Sequence, residues 1–184
     1  MKKSILILAL LAAGLQAFAQ KKAAKDPGKQ PSNYILADFR DIKWGSHIDS
    51  IYRDGNKLTF KKAPEMADKN AYILENEDMM VGTVLLKNMY FMFNGKGRFT
   101  GVMMIGQREM SEKKQIGEMK YILTYKFGDP ELREIPNAIQ YYWMVDDVRI
   151  TLNDEESVGL FTVEFFSDYE RSESKKQNMN VDDF

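Results

Sequence analysis

The chain has a single histidine, and its neighbours are the first residues that could support chemistry. His47 follows Ser46 and lies two residues before Asp49, and a histidine with a hydroxyl and a carboxylate is a combination used in general-base catalysis. The same spacing matches a helix capping box, in which Ser46 caps the first turn and Asp49 reaches back to it. Side chains that close on one helical turn leave no space for a substrate. We therefore interpret the group as a helix cap and predict no catalytic residue.

Clustered carboxylates are the next candidates. Asn153-Asp154-Glu155-Glu156 and Asp146-Asp147 carry the oxygen ligands that hard cations prefer. Neither has the glycine and distal glutamate of an EF-type loop, so we interpret both as turns between strands. Gly95-Lys96-Gly97 precedes no helix and is interpreted as a turn rather than a phosphate-binding loop. We predict no metal site and no cofactor.

The composition excludes several classes of function. The chain has 184 residues, with 26 basic and 27 acidic side chains and a formal net charge of −1, so it lacks the basic excess of a dedicated nucleic-acid-binding protein. The absence of Cys removes thiol catalysis, thiolate metal sites and disulfides. A hydrophobic fraction of 44% and a charged fraction of 29% are typical of a globular protein.

The N-terminus has the features of a secretory signal peptide. Lys2 and Lys3 precede an apolar run over 5–15, and small residues at 17 and 19 suit a signal peptidase. The run is shorter than the ~20 residues of a membrane-spanning helix, which disfavours an uncleaved anchor. We therefore predict a signal peptide over 1–19, export to the periplasm or the exterior, and no transmembrane segment after cleavage.

Composition divides the rest of the chain into three parts. Residues 20–33 hold no large apolar side chain and are predicted to be a flexible linker. Residues 168–184 are rich in Ser, Lys, Asp and Asn and are predicted to form a frayed polar tail. A single α+β domain is predicted over 34–167.

Periodicity divides this domain into two halves, each a helix followed by three strands. The first half opens with a short strand over 35–42 and continues with a helix over 46–55, a loop over 56–70 and strands over 72–74, 81–93 and 98–106. The second half combines a helix from Ser111 to Lys126, ended by Gly128, and strands over 140–145, 148–153 and 159–167. We predict an α+β fold with an antiparallel sheet of about six strands and two helices on one face. The pattern is compatible with a duplicated helix-plus-three-strands unit.

Two short motifs carry a resemblance to known families. Phe39-Arg40-Asp41-Ile42-Lys43-Trp44-Gly45-Ser46 resembles the FRGIKWG-type opening of uncharacterised exported bacterial proteins. A helix, then Lys126-Phe127-Gly128-Asp129-Pro130, then three strands is similar to the outer-membrane-assembly lipoproteins and to the β-lactamase-inhibitor-protein-like α+β fold. The chain lacks the lipidated Cys of those lipoproteins and a recognisable inhibitory loop. The resemblance implies a fold and a binding style, and no catalytic residue.

The strand pattern predicts an apolar face on the side of the sheet opposite the helices. Side chains alternate across a strand, and seven apolar ones are assigned to that opposite side: Tyr90, Met92, Val102, Met104, Tyr142, Met144 and Phe166. Two helices cover one face, so this set would remain as an exposed patch suited to binding. Two alternatives stay open: the loop over 56–70 covers these residues, or a bulge near Lys87 and Asn88 shifts the register.

Three hypotheses for function follow. The first is an exported, non-enzymatic interaction domain that binds a protein or an envelope component through the Met/Tyr sheet face. The second is a small-ligand carrier or hydrolytic enzyme with a site between helix and sheet, which a deep cavity lined by Arg40, His47 or Arg149 would favour. The third is a self-associating structural domain, and therefore a homo-oligomer.

Overall fold

The computed structural model describes residues 36–110 and 113–168, without the side chains of Ala67 and Lys113. The predicted signal peptide, the predicted linker, Ser111 and the predicted tail beyond Asp168 lie outside the described residues.

The described residues form mainly short and medium-length strands. In chain order the strands are β1 Asp38–Phe39, β2 Ile42–Lys43, β3 Tyr52–Arg53, β4 Asn56–Lys57, β5 Phe60–Lys62, β6 Ala71–Leu74, β7 Met80–Val81, β8 Val84–Phe93, β9 Phe99–Gln107, β10 Glu109–Met110, β11 Lys113–Lys114, β12 Glu131–Ile135, β13 Ala138–Val145, β14 Val148–Glu155 and β15 Leu160–Ser167. The α-helix is α1, Gln115–Phe127, and the 3-10 segments are Ile48–Ser50, Pro64–Lys69 and Glu156–Val158.

One antiparallel sheet of nine strands organises the molecule. Its order is β12-β13-β14-β15-β9-β8-β6-β5, and β7 pairs with the beginning of β8. The pairing of β15 with β9 joins the C-terminal strands to the strands that precede α1. Strands β1 and β2, β3 and β4, and β10 and β11 form separate two-stranded pairs.

The predicted fold class is wrong in its helices and its strand number. Among the described residues there is one α-helix, not two, and the sheet has nine strands rather than six. The first half of the domain contains no α-helix in this range, so the two halves do not repeat a helix-plus-three-strands unit. The antiparallel character of the sheet is confirmed.

The segment predicted as the first helix is too short and too interrupted to be one. Only Ile48–Ser50 is helical, as a 3-10 turn capped by His47 rather than by Ser46. Asp54 and Gly55 adopt left-handed backbone angles and turn the chain into the β3–β4 hairpin. A helix that ends after so few residues forms too few hydrogen bonds to offset the cost of helix nucleation, so the hairpin turn forms instead.

The helix predicted in the second half is present as α1, but it begins at Gln115 rather than near Ser111, because Lys113–Lys114 form β11. Met119, Leu123 and Phe127 are buried against the sheet, as their spacing indicates. Gln115 anchors the first turn, because its side-chain oxygen accepts a hydrogen bond from the Leu85 amide at 3.1 Å. Beyond the last turn, the Trp143 indole donates to the Gly128 carbonyl at 2.7 Å. The helix is therefore held to the sheet at both ends.

Two irregularities between β8 and β9 decide which side chains face α1. The register shifts between Leu86 and Asn88, where a bulge was one of the open alternatives, and again between Met92 and Phe93. At the second shift Phe93 pairs with Phe99 and Met92 pairs with Gly101, so Thr100 is the extra residue. An extra residue reverses the alternation of side chains along a strand.

The side of the sheet opposite α1 is partly covered by the 3-10 segment Pro64–Lys69, named here the cover segment. Ala63, Ala71 and Tyr90 are buried beneath it in a second, smaller apolar cluster. The Tyr90 hydroxyl donates to the Glu65 carboxylate at 3.0 Å.

Within the described residues, no helix has the length and apolar character to cross a lipid bilayer.

Candidate functional site

Contacts around His47 attach the 3-10 turn Ile48–Ser50 to the hairpin that connects β8 and β9. His47 forms an isolated antiparallel bridge with Arg98, and the Ile48 amide donates to the Gly97 carbonyl at 2.9 Å. The Nδ1 atom of His47 accepts a hydrogen bond from the Asp49 amide at 3.3 Å. These contacts are those of a cap, as the sequence pattern indicates, although the capping residue is the histidine.

Arg108 binds the acidic side chains near Asp154. The Nε and Nη2 atoms of Arg108 donate to the two carboxylate oxygens of Asp154 at 2.5 and 3.2 Å. The hydrogen bond to Asp154 is the main cause that raises the pKa of Arg108 above its ordinary value, so the guanidinium stays charged. Among the described residues, no group of three or more His, Cys, Asp or Glu side chains is arranged to hold a metal ion.

The structure distributes the seven predicted face residues over three environments. Val102 and Met104 belong to the core on the α1 side, so their assignment to the opposite side is wrong. The reason is the extra residue Thr100, which reverses the alternation along β9. Tyr90 is buried and Met92 half-buried beneath the cover segment. The remaining three lie on the uncovered part of the opposite side: Tyr142, Met144 and Phe166.

These last three residues are named here the open-face patch. Met144 is 53% exposed and Phe166 is 42% exposed. The guanidinium carbon of Arg133 lies 3.5 Å from the centre of the Tyr142 ring, and that of Arg149 lies 5.1 Å from the Phe166 ring. Arginine on an aromatic face is a favourable arrangement.

Polar side chains limit the size of this patch. The same side of β14 and β15 carries Thr151, Asn153, Thr162 and Glu164. The Gln140 amide donates to Asn153 at 2.9 Å, and Asn153 donates to Thr162 at 3.1 Å, which forms a chain of hydrogen bonds across β13, β14 and β15. The predicted continuous apolar face is thus a small apolar group beside a polar strip.

A cavity of about 310 Å³ lies between α1 and the sheet. The helix supplies one wall, the sheet a second, and the segment that leads into β1 a third. Its lining residues are Leu36, Ala37, Asp38, Phe39, Arg40, Val81, Met104, Met119, Ile122, Leu123, Lys126, Phe127 and Phe165. Three of them are charged, Asp38, Arg40 and Lys126, and the others are apolar.

The third wall is fixed by Trp44. The indole of Trp44 donates to the Leu36 carbonyl at 2.8 Å and stacks on the Phe99 ring, with the ring centres 4.9 Å apart. Phe39 packs on the Phe165 ring at 5.4 Å. The segment that closes the cavity is therefore tied to the sheet from both sides.

The Arg40 side chain in this lining is held in place by several partners. Its guanidinium donates to the Glu77 carboxylate at 2.6 Å and to the carbonyls of Asp78 and Met80 at 2.5 and 2.7 Å. Glu77 has a side chain only 4% exposed and also accepts from Arg53 at 2.8 Å. Two arginines thus surround one buried carboxylate, and the Arg40 guanidinium is held by Glu77 and by two backbone carbonyls.

The described residues that line the cavity include one carboxylate and two cationic residues, and no Ser, Thr, Tyr or His. Neither His47 nor Arg149 belongs to the lining. A space of this volume with apolar walls and a few charged groups is typical of small-molecule sites.

Sequence reasoning raised a site between helix and sheet as the second hypothesis and named Arg40 as a possible lining residue, but it did not find the other lining residues. The lining residues of α1 lie on the same apolar face of the helix as the core residues. Apolar periodicity indicates which side chains of a helix point toward the sheet, but it does not show whether they contact the sheet or leave a space.

Comparison with protein-family models, with curated proteins and with solved structures finds no match to this chain. The resemblance of the opening motif and of the helix-to-strand topology stays a prediction. Function is therefore argued from the geometry.

Proposed function

We propose that the protein is a non-enzymatic binder of a small, largely apolar molecule, which it holds in the cavity between α1 and the sheet. The observation that carries the proposal is the cavity of about 310 Å³, with apolar walls and three charged side chains. Its volume lies at the lower end of the range for small-molecule sites, about 300 to 1,000 Å³.

Rigid attachment of the walls supports this proposal. The helix is anchored through Gln115 at its first turn and through Gly128 beyond its last, so the space under its middle does not close by a simple shift of α1. The opposing segment is fixed through Trp44. A preformed site loses less free energy to ordering when a ligand binds.

The charged lining residues define the ligand further. The apolar walls favour a hydrocarbon or aromatic body, because burying apolar surface is worth about 25 cal/mol per Å². Asp38 and Lys126 bring one charge of each sign to the lining, whereas the Arg40 guanidinium is already bound to Glu77. The ligand class is therefore an apolar body that carries at most one polar end.

Filling the cavity should abolish binding of an apolar probe. We expect 1-aminoanthracene to bind the purified protein with a rise in fluorescence, and Val81→Trp and Ala37→Trp to weaken that binding at least about tenfold, since Val81 and Ala37 line the cavity and a larger side chain occupies it. Thr59→Trp, at an exposed position outside the lining, is the matched control and should bind as the wild type does. Circular dichroism checks that all variants fold.

Two results would contradict the proposal. One is a wild-type protein that does not bind the probe. The other is a folded Val81→Trp or Ala37→Trp protein that binds it as tightly as the Thr59→Trp control.

A second candidate function is docking of a partner protein on the open-face patch. The observation in its favour is the exposure of Met144 and Phe166 beside Arg149. Arg149 makes no ion pair with another described residue. A partner that presents apolar side chains around a carboxylate would match this surface.

A further inference from the structure

The edge of the nine-stranded sheet at β12 has unpaired backbone groups. β12 pairs with β13 on one side only, and Ile135 lies opposite Ala138 across the turn formed by Pro136 and Asn137. In such a turn the closing pair exchanges hydrogen bonds. Hydrogen-bonding direction alternates along an antiparallel strand, so the backbone groups of Leu132 and Glu134 point away from the sheet.

An apolar side chain also lies at this edge. Leu132 is 61% exposed on the α1 side of the sheet, directly opposite Tyr141. Ile139, on the same side of the neighbouring strand, is 43% exposed. Leu132 gains cover only from something that lies beyond the edge, because β12 is the last strand on this side.

Two of the three charged residues of β12, Glu131 and Arg133, form a close pair on the opposite side of the sheet. Glu131 and Arg133 form two hydrogen bonds, at 2.9 and 2.8 Å, within the strand. These hydrogen bonds are the main cause that lowers the pKa of Glu131 below its ordinary value. Both groups are therefore charged at neutral pH.

We propose that β12 pairs with β12 of a second copy of this chain, in an antiparallel register that places Leu132 opposite Leu132 of the other copy. A two-fold axis perpendicular to the sheet keeps both helices on the same side. In this register Glu131 of each copy lies opposite Arg133 of the other copy. Two Leu132 side chains meet on the α1 side, where each shields the other.

Charge complementarity selects this register. Pairing through the outward backbone groups allows three others, in which Glu131, Arg133 or Glu134 lies opposite its own copy. Like charges directly opposite each other destabilise a strand pair. The register centred on Leu132 avoids all three and provides four backbone hydrogen bonds: two between the Leu132 residues, and two from the Glu134 amides to the Pro130 carbonyls.

The strand also has features that limit its pairing. Pro130 and Pro136 flank β12, and prolines and charged side chains normally protect an edge from uncontrolled association. With the same strand used by both copies, the two-fold contact closes on itself and leaves no free β12 edge. The contact lies outside the cavity lining, so it is independent of the proposed function.

A charge swap tests the register. We expect light scattering of the wild type to give twice the mass of one chain at high protein concentration. Arg133→Glu places Glu131 opposite an introduced carboxylate and should raise the dimer dissociation constant about tenfold or more. The double variant Glu131→Arg with Arg133→Glu restores opposite charges and should return the constant to within about threefold of the wild type. Lys61→Glu, on the β5 edge, is the control and should remain dimeric.

Monomeric wild type at the highest soluble concentration would overturn the proposal. A single Arg133→Glu variant that dimerises as the wild type does, or a double variant no better than the single, would also overturn it.

Cross-linking tests the same register independently. The chain has no Cys, so Leu132→Cys introduces one thiol that meets its copy at the axis. Directly opposed residues in a hydrogen-bonded antiparallel pair have Cα atoms about 5.5 Å apart, which suits a disulfide. We expect mild oxidation to yield a disulfide dimer from Leu132→Cys and little from Ile139→Cys, one strand further in. Equal yields from the two variants would contradict the proposed axis.

Discussion

At the scale of single residues, Gly106 is a position in the sheet that has no room for a side chain. Gly106 lies opposite Phe161 in the β9–β15 pairing, and the Phe161 ring is fully buried. A Cβ atom built on Gly106 falls within contact of that ring, at distances that real side chains do not show. The ring occupies the place that a side chain at position 106 would need.

We expect Gly106→Ala to lower the free energy of unfolding by about 1–3 kcal/mol, because a buried aromatic ring must move to admit the methyl group. Gly95→Ala is the matched control. Nothing lies within 4 Å of a Cβ at Gly95, so its change should stay within about 0.5 kcal/mol. Urea unfolding measures both, and equal stabilities for the two variants would contradict the packing argument.

At the scale of elements, the cover segment decides how much of the second side of the sheet is exposed. Its Glu65 accepts a hydrogen bond from Tyr90, and the residue before it, Ala63, donates a backbone hydrogen bond to Ala71 at 2.9 Å. Burial, followed by the hydrogen bond and the negative charge of Glu65, raises the pKa of Tyr90 above its ordinary value of 10.0. The phenol is therefore kept protonated by the folded structure.

Tyr90→Phe should lower the free energy of unfolding by about 1 kcal/mol at neutral pH, through the lost hydrogen bond. The folded-state pKa is raised, so the stabilising contribution is complete below pH 10 and is lost as pH rises through the folded pKa. The stability difference between the wild type and Tyr90→Phe should therefore shrink in alkaline solution. Denaturant unfolding at several pH values measures it, with Tyr52→Phe at an exposed position as control. A difference that grows above pH 10 would refute the assignment.

At the scale of the whole molecule, one large sheet has two unequal covers. On one side α1 spans β8 and β9 and encloses the cavity, while on the other the cover segment reaches only part of the sheet. The C-terminal strands β13, β14 and β15 consequently present a partly apolar side and a free edge at β12. The cavity is separate from the other two surfaces, whereas the β12 edge adjoins the open-face patch, because Arg133 lies over the ring of Tyr142.

If the open-face patch docks a partner protein, Met144→Asp should abolish that contact and leave the fold intact, because Met144 is exposed and its replacement puts a carboxylate into the apolar group. Pull-down from envelope extract with the wild type, with Met144→Asp and with Tyr121→Asp measures this. Tyr121 is 64% exposed on α1, and its variant is the matched control. Recovery of the same partner by all three proteins would exclude the patch as its binding surface.

Sequence patterns predicted the elements whose signal is local. The hairpin at Asn94-Gly95-Lys96-Gly97 connects β8 to β9 as expected. The stripe Met119, Leu123 and Phe127 gave the position of α1 and its buried side. The prediction of a first helix from Ser46 was wrong, because Asp54 and Gly55 turn the chain before a second helical turn forms.

The candidate site was predicted less well than the fold. Alternation along β9 assigned Val102 and Met104 to the wrong side because it takes no account of an extra residue, and Thr100 becomes extra only when Phe99 pairs with Phe93. The cover over Tyr90 came from a segment whose sequence indicates only a polar loop, although the loop over 56–70 was one of the open alternatives.

By itself the sequence determined that the chain is rich in alternating strands, that these pair antiparallel, and that one amphipathic helix precedes Gly128. These properties depend on side-chain periodicity and turn residues close together in the chain. Only the tertiary structure decided the sides of β9, the extent of the cover, the cavity under α1 and the free edge at β12. Each of these depends on how segments distant in the chain pack together. That packing depends on side-chain volumes and strand registers, which the periodicity of a short segment does not indicate.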